Sequence, residues 1–199
     1  MRTNDVQHWL SQDERRLATL RTLTQPLTAS HLAQRTQRPR SACSALLRQL
    51  ASRRLVRCLN NSARRSRVYG LTLKGHACLG AMGSQNAEPR RTPEVDWAIY
   101  GWICFSQRSA VLKALTEPLQ PATIKRRALR HDPTLTMSAN NVRDVIRLFL
   151  AKGLVSRVHR RAALHPQYAL TALGRSLHEL LMTADTTRIA DNETRTHAR

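Results

Sequence analysis

Arginine is the residue type that most sets this chain apart, because it supplies 29 of the 33 basic side chains. The formal net charge is +20 and the sequence pI is about 11.6. A guanidinium group can donate two parallel hydrogen bonds to a phosphate or to a guanine edge, which an ammonium group cannot do. The charge therefore predicts a polyanionic partner. Nucleic acid is favoured, and an anionic membrane surface is the alternative.

Two basic segments stand at matching places in the two halves of the chain. Each precedes a similar stretch, VYGLTLKG at 68–75 in the first half and QYALTALG at 167–174 in the second. Tyr168 follows Tyr69 by 99 residues, and the same offset aligns Leu55 with Leu154. This pattern predicts a repeated unit. The arginines of the basic segments are Arg64, Arg65 and Arg67 in the first copy, and Arg160 and Arg161 in the second.

A helix with one apolar face precedes each basic segment. Apolar residues spaced i, i+3, i+4 and i+7 predict a continuous stripe along it. The stripe consists of Cys43, Leu46, Leu47 and Leu50 in the first copy, and of Val142, Val145, Ile146 and Phe149 in the second. The opposite faces carry polar side chains suited to contacting bases, namely Ser41, Ser44 and Arg48, and Asn140, Arg143 and Arg147.

Two further helices are predicted ahead of each striped helix. The first ends near Pro26 in one copy and near Pro118 in the other, because proline cannot donate the next helical hydrogen bond. Thr28 or Ser30 can cap the short second helix of the first copy. Each copy therefore begins with three consecutive helices.

A β-hairpin with a basic tip and a closing helix capped by Thr72 or Thr171 complete each copy. This order of elements, with a Leu-Val strand, a charged loop and a Tyr-x-Leu-Thr-x-x-Gly return strand, resembles the winged helix-turn-helix superfamily, most closely its MarR-like transcription regulators. The resemblance covers roughly residues 11 to 82 and 107 to 182. The second copy has about seven extra residues around His131 to Thr136, between its second and third helices.

The resemblance implies a mainly α fold with small β-hairpins (α+β), built as two tandem winged helix-turn-helix domains. It also implies that the third helix lies in the major groove of double-stranded DNA and the hairpin lies along the backbone or minor groove. On that arrangement Ser41, Ser44, Arg48, Asn140, Arg143 and Arg147 face bases. Arg38 and Arg40 approach phosphates, and Arg64, Arg65, Arg67, Arg160 and Arg161 form the wings. For any single arginine the alternative is a solvated surface charge.

The predicted domains are residues 1–82 and 96–182, with a linker at 83–95 and a disordered polar tail at 183–199. The segment from Trp97 to Phe105 holds four of the eight aromatic residues. We interpret it as a helix that packs the second domain or joins the two, and a homodimer interface is the alternative. The four cysteines are spread out, which indicates reduced core residues.

Catalytic motifs are not recognisable, so we predict a protein that is not an enzyme and has no metal or cofactor. No apolar run predicts a membrane span or an export signal, so a cytoplasmic, nucleoid-associated location is expected. The sequence predicts a sequence-specific DNA-binding protein, most simply a transcription regulator. A replication initiator of a plasmid or mobile element, and an architectural protein that reads mainly the nucleic-acid backbone, are the alternatives.

Overall fold

The computed structural model describes residues 3–83, 94–158 and 165–196, and side-chain burial for 5–83, 94–158 and 165–185. Across these residues the chain is mainly helical with two small antiparallel sheets, which confirms the predicted α+β class at that level. None of the described helices combines the length and the apolar character needed to cross a bilayer. The chain divides into two compact units, one of residues 1–101 with 187–199 and one of residues 102–186.

The first unit begins with four helices, and one very short strand lies between the second and the third. These elements are α1 (Thr3–Ser11), α2 (Glu14–Thr22), β1 (Leu27–Thr28), α3 (Ala29–Thr36) and α4 (Arg40–Ser52). A hairpin of β2 (Val56–Cys58) and β3 (Val68–Leu71) follows, and α5 (Leu73–Ala81) closes this series. The strands form a sheet in the order β1-β3-β2, with Leu27 opposite Tyr69 and Val56 opposite Leu71.

The core of this unit lies where α4 packs against α2, α3 and the sheet. All four residues of the predicted stripe on α4 are buried, as are Leu20, Leu32 and Val68 around it. The α3 helix is capped by Thr28, whose hydroxyl accepts a hydrogen bond from the His31 amide at 3.2 Å. The predicted apolar face therefore holds α4 in place and leaves its opposite face exposed.

The second unit repeats this order. It contains the end of α6 (Trp97–Ile103), then α7 (Ser106–Ala114), α8 (Pro121–His131), α9 (Ala139–Ala151), β4 (Val155–Val158), β5 (Gln167–Leu170) and α10 (Ala172–Thr196). The strands β4 and β5 pair antiparallel, and a bridge between Leu119 and Tyr168 occupies the place of β1. All four residues of the predicted stripe on α9 are buried.

The glycine of each Tyr-x-Leu-Thr-x-x-Gly stretch marks a close approach between the closing helix and the residue just before the first strand of the hairpin. A Cβ atom on Gly75 would lie 2.2 Å from the Leu55 carbonyl oxygen, and one on Gly174 would lie 2.0 Å from the Leu154 carbonyl oxygen. Each carbonyl also accepts a hydrogen bond from the capping threonine's amide, at 3.0 Å in the first unit and 3.1 Å in the second. Only glycine leaves room for this approach.

The similarity between the two units extends further toward the N-terminus than the sequence indicated. In the first unit the Arg16 guanidinium stacks on the Trp9 ring at 4.2 Å and donates to the Trp9 carbonyl at 2.9 Å. In the second unit Arg108 makes the same two contacts with Trp102, at 4.2 and 3.1 Å. A second cation lies over each indole, Arg53 in the first unit and Lys152 in the second. Trp102 also packs edge to face on Phe149.

The Trp102 contacts of α6 therefore correspond to the Trp9 contacts of α1. Tyr100 and Ile103 of the Trp97 to Phe105 segment are buried within the chain. The interpretation of this segment as a helix that packs the second domain or joins the two stays a prediction. The first five residues of α6 are grouped with the first unit. Tyr100 packs there on His31, with ring centroids 6.5 Å apart. The homodimer interface remains a prediction.

The closing helix α10 continues past the predicted end at 182, so the predicted tail begins inside it. Contacts in this part of the second unit explain the extension. Ala184 is buried, and the Asp185 carboxylate forms an ion pair with Lys113 of α7. The predicted linker lies almost entirely outside the described residues.

None of the four cysteines forms a disulfide in the structure. Cys43 and Cys78 are buried, as predicted, and Cys58 and Cys104 are half-buried. Burial raises the pKa of the Cys78 thiol, and the nearby Lys74 opposes this only in part.

Candidate nucleic-acid interface

Five arginines of the first unit line one open cleft, which we call the arginine cleft. Its volume is about 240 Å³, and it lies between the start of α3, the exposed face of α4 and the loop that joins β2 to β3. The lining residues are Thr28, Ala29 and Ser30 from the α3 end, Arg40, Ser44 and Arg48 from α4, and Arg64, Arg65, Ser66, Arg67 and Tyr69 from the hairpin.

The α4 wall of the cleft follows from helical spacing. Arg40, Ser44 and Arg48 are four residues apart, so they project from one face of the helix in successive turns. That face lies opposite the buried stripe. Arg40 and Arg48 are exposed, and Ser44 is half-buried. The wall therefore places a hydroxyl group between two guanidinium groups.

The hairpin wall is a nine-residue connection, 59–67, between the two strands. The Asn60 side chain, only 4% exposed, holds this connection from inside. Its Oδ1 accepts a hydrogen bond from the Val68 amide at 2.8 Å, and its Nδ2 donates to the Ser66 carbonyl at 3.2 Å. Arg67 Nε donates to the Ala63 carbonyl at 3.0 Å. The loop is thus anchored at its base.

The three hairpin arginines are all exposed at the surface. All three line the arginine cleft from the loop that Asn60 anchors. A ligand in the cleft would therefore meet guanidinium groups from two separate elements.

No acidic residue is among those that line the arginine cleft, and no ion pair between described residues involves its arginines. The acidic Asp13 instead caps α2, where its carboxylate pairs with Arg15 at 2.9 Å. The Arg15 guanidinium lowers the pKa of Asp13 through a side-chain hydrogen bond. The positive charge of the cleft is therefore not neutralised locally, and it is available to an anionic ligand.

Two predicted site residues of the first unit lie outside the lining of the cleft. Ser41 is exposed on α4 but is not among the lining residues. Arg38 follows Gln37, whose φ of 52° ends α3 in the left-handed region. The Arg38 side chain is half-buried, and its Nη1 atom is enclosed without a hydrogen-bond partner among the described residues.

In the second unit the three predicted residues of α9 are exposed on one face of the helix. Arg143 Nη1 donates to Asn140 Oδ1 at 3.2 Å, and Arg147 forms an ion pair with Asp144 at 3.0 Å. This face therefore carries an acidic group where the α4 face carries none. The predicted Arg160 and Arg161 lie outside the described residues.

A shallow groove beside the α9 face is lined by mixed groups, namely Phe105, Ser106, Gln107, Arg108, Asn141, Asp144, Val145 and Leu148. Burial against the neighbouring rings lowers the pKa of Arg108 by desolvation. The exposed surface of the second unit thus differs from the arginine cleft in both charge and apolar content.

The structure brings together six of the predicted site residues in the arginine cleft: Arg40, Ser44, Arg48, Arg64, Arg65 and Arg67. It also adds groups that the sequence analysis missed. Ala29 and Ser30, the first two residues of α3, also line the cleft, and the Thr28 capping pattern was the signal that could have placed them there. The structural role of Asn60 could not be predicted from the sequence, because Asn60 lies in a run of polar loop residues. Among the described residues, no three metal-binding side chains cluster closely enough to hold an ion.

No protein-family model matches the chain, and no curated protein or solved structure is significantly similar to it.

Proposed function

We propose that this chain binds double-stranded DNA as a sequence-specific transcription regulator, and that its two units act as winged-helix reading heads. The observation that carries the proposal is the arginine cleft. Five guanidinium groups converge there from a helix and a hairpin, with no carboxylate among the lining residues. Such a site suits a row of phosphates better than a single small anion, because its charges lie on separate walls.

In the proposed complex the exposed face of α4 enters the major groove. Arg48 and Ser44 then reach base edges, where an arginine can donate to the O6 and N7 atoms of guanine. The hairpin arginines contact the backbone beside the groove. The partial positive charge at the start of α3 adds to the attraction for a phosphate.

The second unit would read DNA with α9. Asn140 has the amide that pairs well with adenine, and Arg143 can pair with guanine. Its contribution should be weaker than that of α4, because Asp144 neutralises part of the charge of Arg147. Two heads in one chain could occupy two half-sites, as a dimeric regulator does. Such a protein would work in the cytoplasm, associated with the nucleoid.

A second candidate function is an architectural protein that reads mainly the backbone. The composition of the cleft favours it, since five of its eleven lining residues are arginines that can all contact phosphates. The two functions differ in specificity. A regulator binds its preferred site about a thousandfold or more tighter than random DNA, and a backbone reader does not.

Arg48→Ala and Arg21→Ala form a matched pair that tests the proposal. Both residues are exposed arginines on helices, but only Arg48 lines the cleft. We expect Arg48→Ala to weaken binding of a labelled duplex at least tenfold in fluorescence anisotropy, and Arg21→Ala to change it less than twofold. DNA selected from a random library with the purified protein supplies the duplex.

Salt titration provides a second readout. If the four cleft arginines other than Arg48 each neutralise one phosphate, the slope of log affinity against log salt should be about −3.6 from the cleft alone. A wild-type protein that does not bind duplex DNA at moderate salt would refute the proposed function. Equal losses for Arg48→Ala and Arg21→Ala would show that the cleft is not the site.

A further inference from the structure

The loop that carries the hairpin arginines rests on a helix outside the striped-helix and hairpin motif. The backbone of α6 approaches its base so closely that a Cβ atom on Gly101 would lie 2.4 Å from Asn60 Nδ2. The same Cβ would lie 2.7 Å from the Ser66 carbonyl oxygen and 3.4 Å from Val68 Cγ2. These three atoms belong to the residues that anchor the loop.

The atoms that meet Gly101 cannot easily give way. The Asn60 amide is fixed by its hydrogen bonds to the Val68 amide and the Ser66 carbonyl. Ser66 has a φ of 50°, in the left-handed region that only a constrained non-glycine residue adopts. Its carbonyl oxygen is therefore held in a defined direction between two arginines of the cleft.

The first half of α6 is itself well anchored in the first unit. Asp96 Oδ1 accepts hydrogen bonds from the Ala98 and Ile99 amides, at 2.8 and 3.1 Å, at the start of the helix. Tyr100, next to Gly101, is 1% exposed and packs edge to face on both His31 and Trp97. The helix thus presents a fixed surface to the base of the loop.

We propose that Asn60 and Gly101 are positioning residues of the arginine cleft, which together hold the loop where Arg64, Arg65 and Arg67 face α4. Neither residue lines the cleft, so each acts through the loop. Without the Asn60 amide the Ser66 carbonyl loses its partner. With a side chain at position 101, the loop base must move away from α6.

This positioning role rests on the proposed function only where its test measures DNA binding. Hydrogen exchange of the Val68 amide tests it without DNA. Asn60→Ala removes the acceptor of this buried amide, so its exchange should speed up at least tenfold. Asn61→Ala, at the exposed neighbouring position, should leave the exchange unchanged.

The DNA readout uses Asn60→Ala, Asn60→Asp and Gly101→Ala. We expect Asn60→Ala and Gly101→Ala to lower duplex affinity about tenfold or more and to make the salt slope shallower by about 2 to 3, since up to three phosphate contacts are displaced. Asn60→Asp keeps the acceptor for the Val68 amide, so its salt slope should be closer to that of the wild type than the slope of Asn60→Ala. Leu79→Val, a core change remote from the loop, should lower thermal stability and leave the slope unchanged.

The double variant tests whether the two residues act through one contact. Asn60→Ala removes the amide nearest to position 101 and also the hydrogen bond that holds the Ser66 carbonyl there, so adding Gly101→Ala should cost much less than it does alone. Additive losses, or a wild-type salt slope in Asn60→Ala with normal Val68 exchange, would overturn the proposal. If wild-type protein does not bind DNA, the proposed function fails, and the exchange rates still decide the positioning of the loop.

Discussion

Gly75 and Gly174 should be intolerant of even one methyl group, and to a similar degree. A Cβ atom 2.2 Å from the Leu55 carbonyl oxygen is about 1 Å inside van der Waals contact, so α5 must move by about that distance. Overpacking of this kind costs about 1–3 kcal/mol. The movement also weakens the two hydrogen bonds from Thr72 to the Leu55 carbonyl, each of which contributes about 1 kcal/mol.

The better helix propensity of alanine offsets at most about 1 kcal/mol of this loss. We therefore expect Gly75→Ala to destabilise the first unit by about 2–4 kcal/mol. Gly174→Ala should do the same to the second unit, where the approach is 2.0 Å. Urea unfolding monitored by hydrogen exchange in each unit measures the free energy of unfolding of the two units separately.

Leu73→Ala is the control, because Leu73 lies two residues before Gly75 in the same turn and is 78% exposed. It should change the free energy of unfolding by less than about 0.5 kcal/mol. If the urea midpoint of Gly75→Ala equals that of the wild type, the close approach does not constrain the helix and the reasoning is wrong.

Two further outcomes follow from the charged groups. Arg143→Ala and Arg147→Ala should weaken binding to the preferred DNA site more than to random duplex, whereas Arg64→Ala and Arg65→Ala should weaken binding to both equally. Competition binding with the two duplexes measures this difference. Equal losses on both duplexes for both pairs would contradict the division between base and backbone contacts. The pKa of Asp13 is lowered by the Arg15 hydrogen bond, so the stability that this carboxylate adds is present above its ordinary value of 3.8 and is lost as the pH falls through its folded value. Asp13→Asn should therefore flatten the acid limb of the pH–stability curve, and an unchanged limb would exclude that role.

Much of the local structure follows from sequence patterns that are compatible with only one local conformation. The four-residue stripes predicted the buried faces of α4 and α9, because helical spacing alone determines which side chains share a face. Thr72 and Thr171 cap the closing helices as expected, since their hydroxyls accept hydrogen bonds from the amides three residues later. These signals are local, so tertiary contacts did not alter them.

The features that the sequence did not predict depend on contacts between distant segments. The match between α1 and α6 does not follow from the repeated stretch, because Trp102 follows Trp9 by 93 residues. The offset is 92 between Pro26 and Pro118 and becomes 99 only from the striped helix onward. The enclosure of Arg38 and the burial of Asn60 depend on how the chain turns after α3 and β2. The ion pair of Arg147 with Asp144, three residues before it, engages a guanidinium group that the polar face alone assigns to a base contact.

The glycine approach and the stacked tryptophans are contacts that the two units have in common. Each unit has the glycine, the capping threonine and an arginine on the tryptophan ring. On the outer face of the striped helix, Ala45 of the first unit corresponds to Asp144 of the second, and Gln49 to Leu148. The two units thus differ on this outer face and share the contacts inside. Residues on the outer face can therefore be exchanged without disturbing the contacts that hold each unit together.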